Sequence, residues 1–111
     1  MMKPKAWQAA VAVLMLLVIA AGCGRPEDKK AKFYSRGRAL YEKADYVRAG
    51  LEFKNALQID PKYADAYFML GQVALKQGDP RGAYSNLSKA VTLDPGNVQA
   101  RLLLGRILLA G

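Results

Sequence analysis

Histidine is absent from the 111-residue sequence, and cysteine occurs once. Without histidine no Ser-His-Asp or Cys-His catalytic arrangement can form, and no histidine-ligated metal site. One cysteine makes no internal disulfide, and a cysteine-only zinc site needs about four. Acidic residues are also few, 9 against 17 lysines and arginines, for a formal net charge of +8. The acids Glu42, Asp45, Glu52 and Asp65 recur with no paired-carboxylate spacing. No glycine-rich phosphate loop occurs outside the N-terminal segment. These absences predict no catalytic residues, no metal and no cofactor. The chain is read as a non-enzyme. Its length allows one small domain, and its 52% apolar and 23% charged residues are an ordinary globular mixture.

The positive charge is concentrated. Five basic residues (Lys29, Lys30, Lys32, Arg36 and Arg38) lie between positions 29 and 38 with no acid among them. Such a segment attracts phosphates, whether of nucleic acid or of anionic lipid. A solvated stretch close to a membrane has the same composition.

The N-terminus reads as an address. Met1–Lys5 is short and basic, Ala6–Gly24 carries no charge, and Ala20-Ala21-Gly22 places small side chains directly before Cys23. A charged start, an apolar run and a small-residue end are the three parts of a secretory signal. An uncleaved anchor is the other reading, because 19 uncharged residues can just span a bilayer. The Ala-Ala-Gly-Cys end resembles the lipobox of bacterial lipoproteins, with Ala20 where leucine is usual. The resemblance implies cleavage after residue 22, acylation of Cys23, and acyl chains that moor the chain to a membrane. Gly24 stands where an aspartate would retain an enteric lipoprotein in the inner membrane. The implied location is therefore the bacterial cell envelope, facing the periplasm, with the outer membrane preferred. An exported chain does not meet DNA, so nucleic acid is not expected as a partner.

The remainder repeats itself. A shift of 34 aligns Gly37 with Gly71 and Gly105, Ala49 with Ala83, Phe53 with Leu87 and Ala56 with Ala90. The same shift aligns Phe33 with Tyr67 and Asp60-Pro61 with Asp94-Pro95. Within each unit the apolar and small residues have helical spacing: Phe33, Gly37, Leu40 and Tyr41, then Ala49, Phe53, Ala56 and Leu57. Asp45, Asp79 and Asn97 are expected caps, and Pro80 an expected first helical residue. The spacing predicts helices over 31–43, 46–58, 64–77, 80–92 and 98–110, with a polar linker over 25–30 and no strand.

The unit resembles the tetratricopeptide repeat (TPR). The first unit matches it at Phe33, Gly37, Ala49, Phe53, Ala56 and Pro61, with Arg36 and Leu40 as departures. The second matches at Tyr67, Leu70, Gly71, Gly78, Ala83, Ala90 and Pro95. The third keeps Leu104 and Gly105. The resemblance implies an all-α right-handed solenoid of about two and a half repeats. Its divisions would be a signal over 1–22, a lipidated linker over 23–30, and repeats over 31–63, 64–97 and, with one helix only, 98–111. The glycines are expected to sit where the second helix of a unit crosses closely, near Ala49 and Ala83.

In that family the first helix of each unit lines a concave groove. By resemblance the groove residues are Tyr34, Arg38 and Tyr41, then Phe68, Gln72 and Leu75, then Leu102, Arg106 and Leu109. The expected partner is an extended or helical peptide, its acidic groups held by the arginines. The family's two-carboxylate clamp uses lysine and asparagine at such places, and they are absent here. Similar lipoproteins serve outer-membrane, pilus or exopolysaccharide assembly. A protein-binding scaffold at the envelope is thus the leading reading. Binding of anionic lipid or polysaccharide through Lys29–Arg38, with the repeats as a spacer, is the alternative. The apolar helix over 98–110 predicts either continuation into further repeats or self-association.

Overall fold

The computed structural model describes residues 25–111, and the lipobox, with Cys23, lies outside them. The described residues form five helices and no strand: α1 Pro26–Glu42, α2 Tyr46–Ile59, α3 Ala64–Lys76, α4 Pro80–Leu93 and α5 Val98–Ala110. No described helix is long and apolar enough to cross a membrane.

Three of the described helices start at a side-chain cap. The carboxylate of Asp45 accepts from the Arg48 backbone N–H, that of Asp79 from Gly82, and the Asn97 side chain from Ala100. These caps satisfy donors that have no partner in the first turn. Segment 25–30, expected as a linker, is instead helical from Pro26. Pro26 needs no N–H at the first helical position, and Glu27 and Asp28 complement the positive end of the helix dipole.

Two equivalent turns join the helices within the units. Gly78 follows α3 at a φ of 70°, and Ala44 follows α1 at 61°. In both, the next residue's N–H reaches back six residues' span, Asp45 to the Leu40 carbonyl and Asp79 to that of Ala74. The left-handed conformation suits glycine and strains alanine. Ala44→Gly is therefore expected to stabilise the chain by about 1 kcal/mol. A urea titration checks this as a higher midpoint with an unchanged slope.

The helices pack mainly with their sequence neighbours, α1 against α2 and α3 against α4 most extensively, and α1 also touches α3. One buried cluster joins Ala49, Phe53, Met69, Leu70 and Val73 from α2 and α3. The second joins Ala74, Ala83, Leu87, Ala90 and Ala100 from α3, α4 and α5. Phe53 and Leu87, related by the 34-residue shift, are the largest fully buried side chains. They also make the close crossings expected at the glycines. A Cβ on Gly37 would lie 2.6 Å from the Phe53 ring, and one on Gly71 2.6 Å from Leu87 Cγ. The glycines thus admit the large residue of the crossing helix. A Cβ on Gly105 would meet nothing within 4 Å.

Candidate functional site

Residues one helical turn apart share a face. Tyr34, Arg38 and Tyr41 do so on α1, Phe68, Gln72 and Leu75 on α3, and Leu102 and Arg106 on α5. The three rows meet in two adjoining concavities. One is lined by Tyr34, Arg38, Tyr41, Phe68 and Gln72, the other by Tyr41, Gln72, Leu75, Leu102 and Arg106. They share Tyr41, Gln72 and Gln99, so they form one groove running across the helices. Leu109 lines neither, and it is 90% exposed near the end of α5.

Packing holds the aromatic rings in place. Tyr34 is tilted against Phe53 at 5.7 Å between centroids and against Tyr63 at 5.2 Å. Burial raises the phenol pKa of both Tyr34 and Tyr63, with the Asp65 charge adding to the effect, so both keep their proton at neutral pH. Tyr41 meets Tyr46 edge-on at 5.4 Å. Phe68 packs against both buried clusters. A partner would meet rings whose rotamers are already fixed, which lowers the ordering cost of binding.

The Lys30 ammonium locks α1 onto the α2–α3 turn. It donates to Asp60 Oδ2 at 2.7 Å and lies 4.9 Å from the centre of the Tyr63 ring. That hydrogen bond, with one from the Lys62 N–H, holds the Asp60 carboxyl below its ordinary range. Its contribution is complete above the ordinary carboxylate pKa and is lost as pH falls through the lowered value. The pair therefore persists through mildly acidic conditions.

Further residues line the groove that the predicted rows do not include: Glu42, Asp65, Lys76, Asn97 and Gln99. The repeat shift carries the signal for most of them. Asp65 and Gln99 are equivalent, one turn before Phe68 and Leu102. Glu42 and Lys76 are equivalent, each one residue after Tyr41 or Leu75. They divide the groove by charge. At one end Arg38 shares the lining with Glu42 and Asp65, while at the other Lys76 and Arg106 stand without an acid. No cluster of three metal-ligating side chains occurs among the described residues.

Known proteins share this sequence pattern. One family profile, described as TPR repeat, matches residues 37–78, and a second, described as tetratricopeptide repeat, matches residues 74–111. Human tetratricopeptide repeat protein 16 is 36% identical over 69 residues, which is 62% of this chain and 8% of that protein. The putative cytochrome c-type biogenesis protein CcmH of Haemophilus influenzae is 42% identical over 62 residues, 52% of this chain and 14% of that protein. The peroxisomal targeting signal receptor of Komagataella phaffii is 38% identical over 72 residues, 64% of this chain and 12% of that protein. The chain thus spans only about a tenth of the length of these relatives. Five helices without a strand among the described residues, a 34-residue register of glycine sockets and two matching profiles lead to one assignment: residues 37–111 are tetratricopeptide repeats.

Proposed function

We propose that the repeats hold an extended or helical segment of a partner protein in the concave groove, as a scaffold at a bacterial envelope membrane. The observation that supports this most is the continuity of the groove across α1, α3 and α5, with fixed rings at its centre. The charge division orients the partner. Acidic groups belong at the Lys76 and Arg106 end, and a basic or neutral stretch belongs beside Glu42 and Asp65. A targeting-signal receptor among the relatives accords with peptide capture.

Photo-crosslinking from Gln72 in the full chain tests this reading. A partner band that disappears in Tyr41→Ala and Arg106→Glu but survives in Lys54→Glu, on another face, supports it. Tyr41→Ala is expected to cost roughly 2 kcal/mol, about thirtyfold in affinity, as a central aromatic anchor does. A band indifferent to all three substitutions rejects the groove. The same experiment reports self-association, as a crosslinked second copy that depends on the exposed α5 leucines 108 and 109.

The tether is the second part of the proposal. Acyl chains on Cys23 would keep the groove at the membrane, and Gly24 favours the outer membrane with the groove in the periplasm. Mass spectrometry of chain from bacterial membranes is expected to show a mature N-terminus at Cys23 carrying acyl groups. Cys23→Ser is expected to leave the unprocessed form. An unmodified thiol in membrane-derived protein refutes the tether.

A further inference from the structure

The outward face of α1 differs from every other helical face in the array. At about 100° per residue, Lys29, Lys32 and Arg36 fall within an arc of roughly 60°, and the cap residues Arg25 and Lys43 flank the same stripe at the two ends of the helix. All five are exposed, and among the described residues none of them is in an ion pair. Lys30, held by Asp60, lies on another face, and Asp28 only edges the stripe. With the two caps, the five charges extend along about 27 Å from one end of α1 to the other.

The repeat register shows what this face is. Advanced by 34, Lys32 and Arg36 become Ala66 and Leu70 on α3, which are 0% and 7% exposed. Leu70 belongs there to the cluster shared with α2. Advanced once more, they become Ala100, fully buried, and Leu104, partly buried in the second cluster. The face that joins one repeat to the one before it is therefore apolar in α3 and α5 and cationic in α1. It is the end face of the described array. A solenoid needs a polar end, and charges of both signs would serve that need. Here one sign occupies the whole arc.

We propose that this cationic end face seats on the anionic headgroups of a lipid bilayer. A planar, extended anionic surface matches a straight line of like charges on a rigid helix. Chain order supports a bilayer over a soluble polyanion, because the uncharged run Ala6–Gly24 ends directly before Arg25. The proposal rests on the tether reading for proximity alone. Seating end-on would turn the groove, which runs away from α1 toward α5, off the membrane plane.

Lysine footprinting tests it with the full chain on vesicles of phosphatidylcholine, or of phosphatidylcholine mixed with phosphatidylglycerol. Each cation at an anionic surface gains roughly fivefold in its local equilibrium. Acetylation of Lys29 and Lys32 is therefore expected to slow by about that factor on the mixture, relative to the exposed Lys54 and Lys62. Added salt is expected to reverse the protection, and Arg25→Gln with Arg36→Gln to remove it while circular dichroism stays helical. Equal labelling on both vesicles, or protection indifferent to the double substitution, overturns the proposal. So does protection by DNA or a sulfated polysaccharide when the mixed vesicles give none. Flotation separates the two readings. A chain that leaves phosphatidylcholine but stays on the mixture with its lysines protected loses the tether and keeps the seat. A chain that floats with neither loses both.

Discussion

Gly71→Leu is expected to destabilise the whole repeat array. Even a methyl group at Gly71 would stand 2.6 Å from Leu87 Cγ and 3.5 Å from the Leu87 backbone nitrogen. The Leu87 side chain is fully buried between alanines 83 and 90, so it has nowhere to go. Relief can come only by parting α3 from α4. Overpacking typically costs about 1–3 kcal/mol, and a full isobutyl group at this contact belongs at or beyond the upper end. A folded array the size of residues 25–111 holds roughly 4–13 kcal/mol in total, so the loss is a large share of stability. Thermal denaturation checks it, and an unchanged Tm would refute the close-crossing account. Adding Leu87→Ala opens space on the facing side. The double variant is expected to be more stable than the two separate losses summed, with a coupling of about 1–3 kcal/mol.

Phe53→Ala carries the second large effect, by the opposite route. Phe53 is fully buried, fills the socket at Gly37 and supports the tilted Tyr34 ring. Truncation removes a phenyl group from a site whose neighbours are held by helix backbones, and such cavities cost about 3–5 kcal/mol. Tyr34 then loses the ring it leans on, so the first end of the groove loosens as well. Chemical denaturation measures the stability loss. Peptide binding at a temperature where the variant stays folded is expected to weaken too, although Phe53 does not line the groove. Wild-type affinity in the folded variant would show that the groove does not depend on this support.

The architecture was legible because its punctuation is local and repeated. Aspartate or asparagine before a helix, proline at or before a boundary, and glycine at a fixed interval each act within a turn or two. Spacing alone places the start of α1 too late, because Pro26-Glu27-Asp28 is as good a helix opening as it is a polar spacer. Only the helix that continues behind it decides. The glycine contacts needed coordinates for another reason. Periodicity places Gly37 and Gly71 on the crossing face, but the rotamers of Phe53 and Leu87 determine which atoms fill the gap. In the groove, the rows headed by Tyr34, Phe68 and Leu102 follow from register. Its borders at Glu42, Asp65 and Lys76 recur at the repeat interval, but how far the concave surface wraps around each helix, and so whether they line it, is visible only in the coordinates. Leu109 shows the converse, a residue in correct register that the curvature leaves outside.

α3 alone contributes side chains to both buried clusters, Leu70 and Val73 to one and Ala74 to the other. It is the keystone through which the two units sense each other. Neither half can melt without stripping one flank of a helix that the other half needs, so the pair should come apart in a single concerted transition. A partner that clamps Phe68 and Gln72 would then brace the arch at its centre, and its binding energy would protect the outermost helices it never touches.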